Sequence, residues 1–181
     1  MTVVISFLRG INVGGHNMIK MDALRKLYES LDLRDAQTYL QSGNVVFKAG
    51  ARDLARLPKR IEDAIERTFG FRPSIIHRTS PELREVIARN PFAARRDIEP
   101  SRLLVSFLAS DPTLEAREKV LAMKTEPEEL LMDGRELYIY YPNGMGRPKI
   151  PMVQIERALK TPATGRNWNT VQKLLEIAEL M

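Results

Sequence analysis

A chain of 181 residues is long enough to bury one substantial core or two small ones, and its apolar content of 44% is ordinary for a globular protein. It has no cysteine, which excludes a disulfide framework and thiolate chemistry and fits a reducing, cytoplasmic setting. The net charge of +5 sits in the first half, with 15 basic against 10 acidic residues in 1–90 and 13 against 13 in 91–181, a field too weak to single out nucleic acid as a partner.

The opening apolar run, Val3 to Leu8, stops at Arg9-Gly10, far short of the roughly 20 residues that span a bilayer, and reads as a buried strand with no membrane partner implied. After a glycine-rich loop, Met21, Leu24, Leu27, Tyr28 and Leu31 recur at helical spacing with Asp22 in the first turn. Ala36 to Leu40 and Asn44 to Lys48 read as strands around a Gln41-Ser42-Gly43 bend. Leu54, Leu57, Ile61, Ile65 and Phe69 mark a second amphipathic helix stopped by Gly70, and Pro73 to His77 supplies a fourth strand. The order βαββαβ is the split arrangement of ferredoxin-like domains.

The second half opens on Ser80-Pro81-Glu82, an N-cap followed by proline, with Leu83, Val86 and Ile87 as the buried stripe of a helix that ends before Pro91. Leu103 to Ala109 reads as a strand and Asp111-Pro112 as the start of a helix through Met123. Glu129 to Met132 and Glu136 to Tyr141 flank the hairpin signal Asp133-Gly134. Pro142 to Lys149 is a loop with two glycines and two prolines, followed by helical patterns at Met152 to Leu159 and Asn167 to Leu180. The expected fold is therefore α+β: a ferredoxin-like subdomain over 1–79, then a βαββ-containing α+β subdomain over 80–181 that ends in helices and packs closely on the first. No final strand and no sequence repeat between the halves is legible.

In a split βαβ the first two strands run the same way, so the loop after strand one and the hairpin bend emerge together. The loop Arg9-Gly10-Ile11-Asn12-Val13-Gly14-Gly15-His16-Asn17 should then lie beside Gln41 to Asn44. Arg9, Asn12, Gly14, Gly15, His16, Asn17 and Lys20, with Ser42 and Asn44 from the bend, form a candidate site for an anionic or phosphorylated group. Exposed amides at a helix start and two cations are what such a group needs. The spacing matches neither the Walker loop nor the dinucleotide fingerprint, and glycine-rich loops also serve simply to turn the chain. Lys149 and Arg166 are further candidate cations, and Asn167 is a candidate helix cap or ligand donor beside Trp168. With two histidines, His16 and His77, and no cysteine, no zinc site is predicted, and no cofactor is assigned.

Three strings carry a resemblance: Leu-Arg-Gly-Ile-Asn-Val-Gly-Gly-His-Asn at 8–17, Gln-Ser-Gly-Asn-Val-Val-Phe at 41–47 and Gly-Arg-Asn-Trp-Asn-Thr-Val at 165–171. Together they resemble the bacterial domain-of-unknown-function family numbered 1697, which implies an α+β fold of ferredoxin-like character and no established biochemical role. Pro148-Lys149 departs from the Ser-Lys that the resemblance leads one to expect after Tyr-Pro-x-Gly.

The favoured expectation is a small-molecule site for an anionic ligand. The alternative is a nucleic-acid-binding module that stacks bases on a sheet, for which Phe7 and Phe47 are the only rings on strands one and three and the RNP1 pattern is missing. A structural or protein-interaction module is the third class.

Overall fold

The computed structural model describes all 181 residues, as two antiparallel four-stranded sheets with six α-helices, an α+β fold. The chain divides into two compact units, Met1–Arg84 with Lys173–Met181, and Glu85–Gln172. No helix is long and apolar enough to cross a membrane.

The first unit runs β1 (Thr2–Leu8), α1 (Met21–Ser30), β2 (Arg34–Tyr39), β3 (Asn44–Ala49), α2 (Leu57–Phe69) and β4 (Ile75–Thr79), with sheet order β2-β3-β1-β4. Both β1 and β2 are antiparallel to β3, so they run the same way. A strand buried on both faces has no polar alternation to show, which is why β1 reads as an apolar run. Val4 and Leu8 face α1 and α2 in one core with Phe47, Leu24, Tyr28, Ile61 and Ile65, while Ile5 and Phe7 are fully buried on the opposite face. The edge strand β2 is guarded by charge and by an irregularity between Arg34 and Gln37, where Asp35 takes φ 56°. The expected start of α2 at Leu54 is instead a 3-10 turn over Ala51–Arg56, with Pro58 at the start of the α-helix, where a missing N–H does no harm.

The strand β4 leads directly into α3 (Ser80–Ala88). The cap is Thr79, one residue earlier than the Ser80 expected from the Ser-Pro pair: the Thr79 N–H donates to Glu82 Oε2 at 2.7 Å, and the Glu82 N–H reaches back to Thr79 Oγ1 at 3.4 Å.

The second unit runs β5 (Leu103–Leu108), α4 (Leu114–Leu121), β6 (Glu129–Asp133), β7 (Glu136–Tyr140), α5 (Met152–Leu159) and β8 (Ala163–Asn167), with order β6-β7-β5-β8. Its helix-side core joins Leu108, Leu137 and Ile139 to Val120, Ile155 and Leu159. The final strand missing from the sequence reading is therefore present, as β8, and the closing helix α6 (Trp168–Glu179) starts only after it. Ala-Thr-Gly-Arg-Asn has no apolar alternation. It is a strand because it pairs with β5 along its whole length, with Gly165 leaving room for Leu104, whose nearest atom would lie 2.9 Å from an added Cβ.

A repeat that the sequence reading missed follows from these registers. Ser6-Phe7-Leu8 on β1 and Ser106-Phe107-Leu108 on β5 hold the same place in their sheets, each strand flanked by the third and fourth strands of its unit. Opposite Ile5 and Val105 stand Arg78 and Arg166, both buried, each donating from Nη1 to the carbonyl of the residue before it, at 2.8 and 2.9 Å. Three residues in register are too short a string to find without the strand pairing.

On the helix side of the first sheet Ser6 lies opposite His77 on β4, and His77 meets Phe47 edge-on at 6.0 Å. Both ring nitrogens of His77 are buried without a partner, and burial, helped by the charge of Arg78, lowers its pKa from 6.5 to about 4. Between these values the unfolded chain binds the proton and the folded one does not, so stability falls as pH drops through that window and is unaffected above it. Urea unfolding near pH 7 and near pH 4.5 should show a loss that shrinks by about 2 to 3 kcal/mol in His77→Leu, from the shift at 1.36 kcal/mol per unit; equal losses in both proteins would mean that His77 is not held neutral.

Candidate functional site

Two glycine-rich loops meet the description of a site, one in each unit. The first, between β1 and α1, is a small hairpin. Val13 pairs with His16, the His16 N–H donates to Val13 O at 3.0 Å, and Gly14 and Gly15 between them take φ 57° and 76°, the mirror-image turn that needs positive φ twice. The glycines thus close a tight two-residue turn. Asn12 clamps the hairpin to the body: Nδ2 donates to Ile19 O at 3.1 Å and to Gln41 O at 2.8 Å, and Oδ1 accepts from Ile19 N–H at 2.8 Å. Asn17 Nδ2 donates to Gly10 O at 3.2 Å.

The loop and the Gln41–Asn44 bend do lie together, as parallel β1 and β2 require. Gly43, at φ 84°, is the point of closest approach, since a Cβ there would fall 2.6 Å from Ile11 Cδ1. Asn44 is fully buried, with Nδ2 donating to Tyr39 O and Ser42 Oγ, so it shapes the bend and is out of reach of a ligand. Arg9, His16 and Lys20 are exposed. Lys20 is the N-cap of α1 and provides no side-chain cap, but the first turn already carries Asp22, which pairs with Arg25 at 2.7 Å and Lys26 at 2.9 Å. The positive end of the helix thus already has a carboxylate beside it.

The second loop, Pro142 to Lys149, follows β7. Arg102 Nη1 donates to Pro142 O at its start, and the Gly144 N–H donates to Tyr141 O at 3.0 Å to make a turn with Pro142 in second position. At its end the Lys149 N–H donates to Glu128 Oε1 at 2.8 Å. Glu128 is itself fixed by a turn in which its N–H donates to Thr125 O at 3.0 Å and Thr125 Oγ1 donates to Glu128 O at 2.9 Å. Between the two segments opens a cleft of about 500 Å³, lined by Pro127, Glu128, Asn143, Gly144, Gly146, Arg147 and Lys149. That volume is in the range of small-molecule sites. Arg95, Arg102 and Arg117 of the same unit are each held by a carboxylate, from Asp97 and Glu129, Glu99 and Asp111 respectively. Arg147 and Lys149 are exposed on the cleft without such a partner.

Of the remaining candidates, Arg166 is buried on β8, where Nη1 donates to Thr164 Oγ1 at 2.8 Å; burial pulls its pKa down to about 10, and it stays charged at neutral pH. Asn167 caps α6, accepting from Asn169 N–H at 3.0 Å and donating to Ser101 O at 2.8 Å. The sequence reading found Lys149 but missed Asn143, Gly146, Arg147 and Glu128. The glycine and cations of the loop were visible, whereas Glu128 joins them only through a contact 21 residues distant.

A family model described as "Protein of unknown function (DUF1697)" matches residues 1–138. The chain belongs to this family. The match takes in the hairpin loop and Glu128 and stops before the Pro142–Lys149 loop. Among solved structures the chain is similar to the conserved bacterial protein SP0830 from Streptococcus pneumoniae, with a TM-score of 0.70, 22% identity and 98% of each chain covered. At that identity the likeness shows the fold alone. No curated protein matches the chain.

The Asn12 clamp makes a prediction for this family member. Asn12→Ala removes all three of its side-chain bonds, and the loss should be about 1 to 2 kcal/mol, since two of the bonds are part-buried and the one to Gln41 O is exposed. Hydrogen exchange should rise in residues 10–19 while β1 and β3 stay protected; unchanged exchange in the hairpin would show that the clamp is idle.

Proposed function

We propose that this protein binds a small anionic molecule in the cleft between Pro127-Glu128 and the Asn143–Lys149 loop of its second unit. The observation that carries this reading is that Arg147 and Lys149 line one cleft of about 500 Å³ with two glycines and no carboxylate holding either cation. The glycines let a ligand approach the backbone closely, and the planar guanidinium of Arg147 offers the two-pronged contact that phosphates and carboxylates take. In the first loop, by comparison, the glycines make a turn and the helix start already has Asp22.

The reading sets this cleft on a ferredoxin-like frame, supported by the βαββαβ order and by the 2-3-1-4 sheet order of both units. It disfavours base stacking on the first sheet, because Phe7 and Phe47 are both fully buried.

Titration calorimetry with inorganic phosphate, pyrophosphate and small carboxylates should find binding that falls about tenfold or more in Arg147→Ala and again in Lys149→Ala. Both variants should melt within about 1 °C of the parent, since exposed side chains outside ion pairs contribute little to stability. Binding unaffected by either change would place the site elsewhere, and Arg9→Ala and Lys20→Ala serve as the comparison for the first loop.

A further inference from the structure

The cleft holds one group that an anion alone does not explain. Glu128 is only 9% exposed; its Oε1 accepts the Lys149 N–H, but its Oε2 is shut off from solvent and has no donor in the protein. A buried carboxylate oxygen without a donor is unfavourable and persists where something else supplies the hydrogen bond. The surroundings do not: Ile139, Pro148 and Ile150 are apolar, and the nearby Tyr141 phenol, pushed up to about 12 by its own burial and by the negative charge of Glu128, stays protonated without bonding to it. Glu128 also lines a second hollow of about 380 Å³, so the residue borders two openings.

Resting on the anion-binding reading of the same cleft, we infer that the ligand is zwitterionic, with its anionic group on Arg147 and Lys149 and an ammonium group on Oε2 of Glu128. An ammonium supplies the missing donor and a neutralising charge together. It reaches Oε2 from the cleft by a shift of the Asn143–Pro148 segment, which is tied at both ends, at Pro142 O and Lys149 N, and carries a single main-chain bond between them, from Gly144 to Tyr141.

The test compares pairs of probes that differ only by the ammonium, phosphoethanolamine with ethyl phosphate and β-alanine with propionate, by calorimetry on the full chain at about pH 8, where both phosphates are fully charged. In the parent protein the ammonium member of one pair should bind about tenfold tighter, and the pair that shows it names phosphate or carboxylate as the anionic half. Glu128→Gln should erase this preference, with the ammonium-free probe bound no more weakly than by the parent, since a negative charge beside the anion is removed. Equal affinities within both pairs, with binding lost in Arg147→Ala, would overturn the inference and leave the anion site standing. A preference that survives Glu128→Gln would overturn it as well, and no binding of any probe would remove both readings. Should Glu128→Gln fail to fold, the comparison in the parent decides, with Glu128→Asp, which draws the carboxylate back by one carbon, expected to narrow the difference within the pair.

Discussion

The hydrogen bond from the Lys149 main chain to Glu128 joins the two sides of the cleft. It joins two irregular segments of the second unit that are 21 residues apart in sequence, and Thr125 braces the main chain of Glu128, donating from Oγ1 to its carbonyl. With Pro142 held by Arg102, the bond leaves a loop whose ends are anchored and whose middle presents Arg147 and the side chain of Lys149 outward. The same bond uses only one of the two carboxylate oxygens. A buried acid that is half satisfied is a structural cost unless the other half has a use, and the proposed ligand would supply that use.

The frame beneath is built twice. Each unit has a central strand containing Ser-Phe-Leu, a helix pair on one face of its sheet and a fourth strand with a buried arginine bonded to the preceding carbonyl. Ser6 and Ser106, in equivalent positions, both bury their hydroxyl groups completely. The differences are in the connections. After β1 come twelve residues, 9–20, clamped by Asn12, whereas after β5 only residues 109–113 precede α4; after β3 a 3-10 turn leads into α2, whereas after β7 the chain makes the cleft loop. The repeated strands form the frame and the unequal loops distinguish its two copies, and the proposed site lies on one of those loops.

Most of the frame was legible because its determinants are local. The apolar run of β1, the helical spacing of Leu57, Ile61 and Ile65, the left-handed Gly70 that ends α2 at φ 82° and the Asp133-Gly134 turn each declare themselves over a few residues. The strand β8 did not, because Thr164, Gly165, Arg166 and Asn167 carry no strand pattern of their own and are ordered by β5. For the same reason Arg166 read as a candidate cation next to a helix start, although pairing puts it, buried, on a strand. At the site, the loop glycines and Lys149 were visible, and the topology correctly brought residues 9–20 beside the 41–44 bend. Glu128 was not, since nothing in Pro-Glu-Glu-Leu separates the acid that is buried from the one that is exposed.

The central claim is that the cleft beside Glu128, and not the hairpin after β1, is where a ligand binds. The most direct measurement is the amide spectrum of the ¹⁵N-labelled protein during a titration with phosphoethanolamine. Saturable shifts confined to Glu128, Asn143, Gly144, Gly146, Arg147 and Lys149 are the predicted result. Shifts centred on Val13 to Lys20 with the 143–149 segment unmoved would contradict it, and would return the site to the first loop.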